Sequence, residues 1–130
     1  DVVNIRGHRI GSAEIESTIL EIKSIIEVSA ISIEDELEGA KFYIFVNSEK
    51  NKKLDKKINN KIMENFGSFA LPAKIIYLNN LPKTKSGKIL RRLLREIILN
   101  PKNPKYGDLS TLQNNRELFN LAKKIKNGSE

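Results

Sequence analysis

Two short segments of this chain set cationic side chains beside a glycine, a combination suited to meeting an anion. The first is Leu81-Pro82-Lys83-Thr84-Lys85-Ser86-Gly87-Lys88. It leaves an apolar run, crosses a proline and turns through Ser86-Gly87 to deliver Lys88 ahead of a basic, helix-like stretch. An ammonium on a glycine-anchored loop can move to neutralise a phosphate or a carboxylate. A solvated basic loop would carry the same residues, so this segment alone leaves both readings open. The second segment is Asn4-Ile5-Arg6-Gly7-His8-Arg9-Ile10, where Arg6 and Arg9 stand on either side of Gly7. Glycine lets backbone come close to a ligand, and a guanidinium grips phosphate through paired hydrogen bonds. An ordinary hairpin with charged tips is the competing account. His8, the one histidine, suits a surface or hydrogen-bonded role better than catalysis.

Ser86-Gly87-Lys88 invites comparison with a nucleotide-cradling P-loop, and it fails. That motif needs glycine where this chain has Pro82, and Ser or Thr where it has Ile89.

The elements that would position these residues can be read from periodicity. Residues 2–5 predict a short strand, Arg6-Gly7 a turn, and Arg9-Ile10 the return. Ser12 can cap a helix with Glu14 and Glu16 in its first turn, and Ile15, Ile19, Ile22 and Ile26 form its apolar stripe. Two strands follow over 28–33 and 41–46, around an acidic turn closed by Gly39. A second amphipathic helix runs over 54–66 through Ile58 and Ile62, ending before Gly67. Residues 73–78 predict a third strand. The basic loop then feeds a helix with Ile89, Leu90, Leu93, Leu94, Ile97 and Ile98 inside, stopped at Asn100-Pro101. A terminal helix places Leu118, Leu121, Ala122 and Ile125 on one face. The expected fold is α+β: a small three-stranded sheet covered by helices, with an N-terminal β-hairpin. Tyr43, Tyr77 and Phe42 fall in strands, where core roles outweigh a stacking platform.

Composition narrows the function classes. The 130 residues make one domain, 39% hydrophobic and 30% charged, in the range of a soluble globular fold. Without cysteine and with one histidine, disulfides, thiolate metal sites and multi-histidine sites are excluded. No apolar run reaches the length of a membrane span. The formal charge of +7 suits an anionic partner or a solubilising surface. The excess gathers in Lys83, Lys85, Lys88, Arg91, Arg92 and Arg95, and again in Lys50, Lys52, Lys53, Lys56 and Lys57, which read as a solvated helix start.

Taken together, the two segments resemble the paired motifs of the AMP-forming acyl-CoA synthetases, the superfamily of adenylate-forming enzymes. Residues 1–11 with Ala13-Glu14-Ile15-Glu16 resemble its post-hinge motif. Residues 81–88 with Ile89-Leu90-Arg91-Arg92 resemble its terminal lysine motif. The tail Tyr106-Gly107-Asp108-Leu109-Ser110-Thr111-Leu112 resembles the acetyl- and propionyl-CoA synthetase branch. The likeness implies that residues 1–130 are a mobile C-terminal domain, beginning just past a hinge, whose large ATP- and acyl-binding N-terminal domain is absent. It implies a cytoplasmic two-step ligase in which a short-chain carboxylate such as acetate attacks ATP, supplied with Mg2+, and CoA then displaces AMP. Any targeting peptide would lie in the missing part, and the fragment alone would bind no cofactor and be inactive. By resemblance Lys88 serves adenylation and is a target for a lysine acetyltransferase and deacetylase, Arg9 meets the adenylate phosphate, and Gly7, with Arg6, borders the CoA thiol path.

This chain departs from the pattern in three places. Arg6 stands where acetyl-CoA synthetases often have serine. Met63, with Lys61 nearby, stands where they place an arginine for the CoA phosphate region. Ile22 stands where the first helix can end in a histidine near magnesium, so no metal is expected on this domain. Two other classes compete: a nucleic-acid-binding module using the basic stretch 83–95, and a stand-alone regulatory or interaction domain. Against the first, the 89–98 helix spends its apolar positions on a core face and interleaves no aromatics for stacking.

Overall fold

The computed structural model describes residues 2–37, 39–107, 109 and 115–126. Its central element is β4 (Gly39–Asn47), which pairs antiparallel with β3 (Val28–Asp35) along one edge. On the other edge β5 (Lys74–Leu78) runs parallel to residues 43–47. A parallel neighbour needs a crossover, and α2 (Lys52–Asn65) supplies it.

The expected β-hairpin forms from β1 (Val2–Ile5) and β2 (His8–Gly11). It also joins the sheet, because Ile5 pairs with Gly39 at the start of β4. The sheet therefore has five strands, where three with a separate hairpin were expected. Gly39 makes the junction possible: its φ is +88°, and a Cβ there would stand 3.0 Å from the Asn4 carbonyl oxygen.

Strands β3 and β4 alternate between two covered faces, as period-two side chains must. One face carries Val28, Ala30, Phe42, Ile44 and Val46 against α1 (Ser12–Ile19) and α2, which add Ile15, Ile19, Leu54, Ile58 and Ile62. The other carries Ile31, Phe45 and Ile76 against α3 (Arg91–Leu99) and α4 (Asn115–Lys126). Buried Tyr77 finds a hydrogen-bond partner in Asp55 of α2, as a core hydroxyl requires.

Two helix boundaries differ from expectation. The first helix stops at Ile19, and its N-cap is Gly11 with no side-chain cap bond, so Ser12 opens the first turn instead of capping it. Beyond Ile19 the chain turns irregularly, so Ile22 and Ile25 are buried while Ile26 is 73% exposed. Helical spacing no longer governs there. The third helix begins at Arg91, leaving Ile89 and Leu90 outside it. By contrast, Asn51 caps α2 as its type predicts, accepting from Lys53 and Leu54 amides at 2.8 and 3.4 Å. In the terminal helix Leu121 and Ala122 are buried and Ile125 packs beside them; the side chain of Leu118 lies outside the described residues, as does most of the 106–112 tail.

Candidate functional site

The lysine-bearing loop is a tight hairpin. Lys83 and Ile89 form an antiparallel bridge, and the Leu90 amide donates to the Pro82 carbonyl at 2.9 Å. Inside that stem the Thr84 amide donates to the Lys88 carbonyl at 2.8 Å, and the Gly87 amide to the Thr84 carbonyl at 2.9 Å. The Thr84 hydroxyl accepts from the Lys88 amide at 3.1 Å and lies 2.9 Å from the Ser86 hydroxyl. Gly87, at φ +94°, takes the left-handed turn that a side chain would resist. The sequence suggested a swinging glycine loop just before a helix. The backbone is cross-bonded, and Lys88 lies in its second arm, with its four-carbon side chain exposed beyond the last cross-bond.

The basic residues around Lys88 divide into two groups. Lys83 Nζ is 2.6 Å from Glu27 Oε2. Arg91 donates to Glu16, to Ser29 Oγ and to the Ala30 carbonyl. Arg92 donates to the Tyr106 carbonyl at 2.9 Å, and Arg95 to the Ser32 carbonyl at 3.3 Å. These four cations are used to hold the protein together. Lys85 and Lys88 are exposed, and neither ammonium has a hydrogen-bond or ion-pair partner among the described residues. The reading of 83–95 as a nucleic-acid surface loses its main support, since four of these six cations are engaged by groups of the protein itself.

The first segment forms the β1–β2 turn. Arg6 and Gly7 have φ of +49° and +85°, the paired positive values of a two-residue hairpin turn whose twist matches its strands. A Cβ on Gly7 would meet nothing within 4 Å, so its glycine answers to backbone conformation and to whatever approaches from outside. His8 stacks on Phe69 with ring centroids 4.0 Å apart, which ties the turn to the 3-10 turn Ser68–Ala70. Arg9 is exposed on β2. The two segments are thus mounted separately, one through Gly39 and Phe69, the other through Glu27 and α3.

Ile22 is buried beyond the end of α1. Lys61, the neighbour of half-exposed Met63, pairs with Glu21 at 2.7 Å. Among the described residues no group of three or more His, Cys, Asp or Glu side chains could hold a metal ion, and no helix is long and apolar enough to cross a membrane. Sequence reasoning missed Glu27 altogether, and it placed Glu16 in the first helix without its partner Arg91. Each meets its cation across a long sequence separation, which leaves no local signal.

Comparison with known proteins agrees with this architecture. Residues 14–88 match the model of the AMP-binding enzyme C-terminal domain, and the chain belongs to that family. It is 41% identical over 115 residues to the acetyl-coenzyme A synthetase of Penicillium chrysogenum, covering 86% of this chain and 17% of that protein. To the Helicobacter acinonychis acetyl-coenzyme A synthetase it is 36% identical over 133 residues, covering 94% and 20%. Among solved structures, a Brucella canis acyl-CoA synthetase superposes with TM-score 0.68 at 28% identity over 79% of this chain and 20% of its own. The acetoacetyl-CoA synthetase of Streptomyces lividans shares the fold over 98% of this chain and 19% of its own, with TM-score 0.74 at 19% identity. The chain spans about a fifth of the length of these relatives.

Proposed function

We propose that this chain is the mobile C-terminal domain of an AMP-forming acetate–CoA ligase, and that Lys88 is its adenylation lysine. The names of the relatives support the acetate assignment; propionate remains the alternative acyl group, because in this reading the large domain sets acyl choice. The observation that carries the role of Lys88 is its place. Of the two exposed ammoniums on the cross-bonded hairpin without a partner among the described residues, Lys85 and Lys88, it is the one that follows the Gly87 turn, while Lys83 and Arg91 are committed to internal bonds.

In this reading the substrate carboxylate attacks the α-phosphorus of ATP, presented with Mg2+ by the large domain, and pyrophosphate leaves. Lys88 offsets the charge gathered where carboxylate and phosphate meet, a contribution worth ~10²–10³ in rate. The domain then turns its β1–β2 hairpin toward the adenylate. Arg9 faces the phosphate, Gly7 leaves room for the CoA thiol, and Arg6 reaches for the CoA itself. Acetylation of Lys88 would remove the needed charge, and its exposure suits entry into a transferase or deacetylase cleft.

The test separates the two half-reactions in the complete protein. Lys88→Ala should abolish adenylation, read as acetate-dependent ATP–pyrophosphate exchange, and leave thioester formation from supplied acetyl-adenylate within a few fold. Near-normal exchange, or equal loss of both halves, would remove Lys88 from the role.

A further inference from the structure

The stem of the Lys88 hairpin is anchored by a carboxylate that is itself held in place. Glu27 lies between α1 and β3, and its backbone carbonyl accepts the Asn47 amide at 3.1 Å. The side chain of the same asparagine, at the end of β4, donates Nδ2–H to Glu27 Oε1 at 2.8 Å. The second carboxylate oxygen, Oε2, takes Lys83 at 2.6 Å. Both partners are about four-fifths shielded, with side-chain exposures of 20% and 23%. A pair of this kind is screened far less than an exposed one. Lys83 in turn is the bridge partner of Ile89, the residue directly after Lys88.

We infer that Lys83 and Glu27, with Asn47 behind them, form a positioning device that sets where the Lys88 ammonium can reach. This rests on the reading of Lys88 as the adenylation lysine. The chain of contacts runs from the centre of the sheet through Asn47 and Glu27 to Lys83, then across the bridge to Ile89. Without the pair, the Lys83 arm of the hairpin loses its ion pair to Glu27 and keeps only the apolar packing of Leu81 farther down the arm among the described residues. A misplacement of about 1 Å at a reacting group can cost ~10²-fold in rate. The ion pair made by Arg91 serves another purpose, because it joins α3 to α1 and β3 and so supports the whole domain.

Two measurements decide the matter. In this chain, amide hydrogen exchange at Thr84, Gly87, Lys88 and Leu90 should quicken by about tenfold or more in Lys83→Met and in Glu27→Gln. Amides of α2 should stay as they are, and the double variant should be no worse than either single one. Unchanged exchange at the hairpin amides overturns the inference whatever the activity. In the complete protein, the same variants should lower adenylation by about tenfold or more, with thioester formation from supplied acyl-adenylate kept within about twofold, and Lys83→Arg should retain most of the adenylation rate. Lys88→Ala is assayed beside them. If it loses adenylation while Lys83→Met does not, the positioning role falls and the role of Lys88 stands. If Lys88→Ala keeps adenylation, the functional reading falls, and hairpin exchange alone then judges whether the pair fixes the loop.

Discussion

Arg91 Nη1 lies 2.6 Å from Glu16 Oε2, joining the first turn of α3 to α1. Glu16 Oε2 also accepts the Ala30 amide at 2.8 Å, and Arg91 Nη2 returns a bond to the Ala30 carbonyl at 2.6 Å. Two helices and strand β3 therefore share one partly buried charge pair. Arg91→Met would leave the Glu16 carboxylate and the Ala30 carbonyl short of a donor. With side chains 33% and 21% exposed, water can replace part of what is lost, so the expected cost is about 2 kcal/mol. That corresponds to a fall in melting temperature on the order of 5–10 °C for a domain of this size. A thermal melt unchanged within a degree or two would mean that solvent satisfies both groups fully.

Gly39→Ala should detach the β1–β2 hairpin from the sheet while leaving the helices in place. The new methyl would stand 3.0 Å from the Asn4 carbonyl, and the residue would be held at φ +88°. Strain of that kind costs about 1–3 kcal/mol. Among the described residues one strand pair, Ile5 with Gly39, joins β1 to β4, so relief comes most easily by letting go there. Amides of β1 should exchange faster while those of β5 keep their protection; uniform loosening of both would place the strain in the core instead.

Much of this was legible in the sequence, for definable reasons. Where an element is long and periodic, as in α2, the apolar spacing of Leu54, Ile58 and Ile62 located both the helix and its buried face. The Ile15-Ile19-Ile22-Ile26 stripe misled because the chain keeps an apolar rhythm after the helix has stopped, and Ile26 ends in solvent. Gly39 was visible as a turn glycine, yet nothing local says that β1 docks against it. The lysine hairpin was found through its residue types, whereas the bonds that brace it come from Thr84 and from Glu27, fifty-six positions upstream of Lys83. Charge pairs between distant segments are set by the folded topology, so no window along the chain contains them.

Acidification should free the connector between α3 and α4 before the domain unfolds. The Lys105 amide holds the Glu96 carboxyl below the usual range, helped by the Asn100 side chain, whose bonds are 2.8 and 3.0 Å. A carboxyl depressed on folding contributes stability above its unfolded pKa, about 4.3 for glutamate, and loses it as pH falls through the lower folded value. Amide protection at Lys105, corrected for the intrinsic pH dependence of exchange, should therefore hold at neutral pH and disappear under acid. Glu96→Gln should abolish that pH step. A variant retaining the same step would assign it to another carboxylate.

Gly7→Leu should stop thioester formation in the complete protein while adenylation and folding survive. The position is open on this domain, since a Cβ would meet nothing within 4 Å, so any steric penalty arises from what approaches the turn. Its φ of +85° still charges a side chain about 1–2 kcal/mol of strain. Gly7→Asn is the control, because asparagine tolerates the left-handed region better than leucine and separates strain from obstruction. If obstruction governs, CoA-dependent turnover should fall with side-chain size and pyrophosphate exchange should stay near that of the unsubstituted protein in both variants. Should the leucine variant lose both half-reactions in proportion to a lowered melting temperature, the turn serves folding alone. A leucine variant with normal CoA-dependent turnover would move the thiol path away from Gly7.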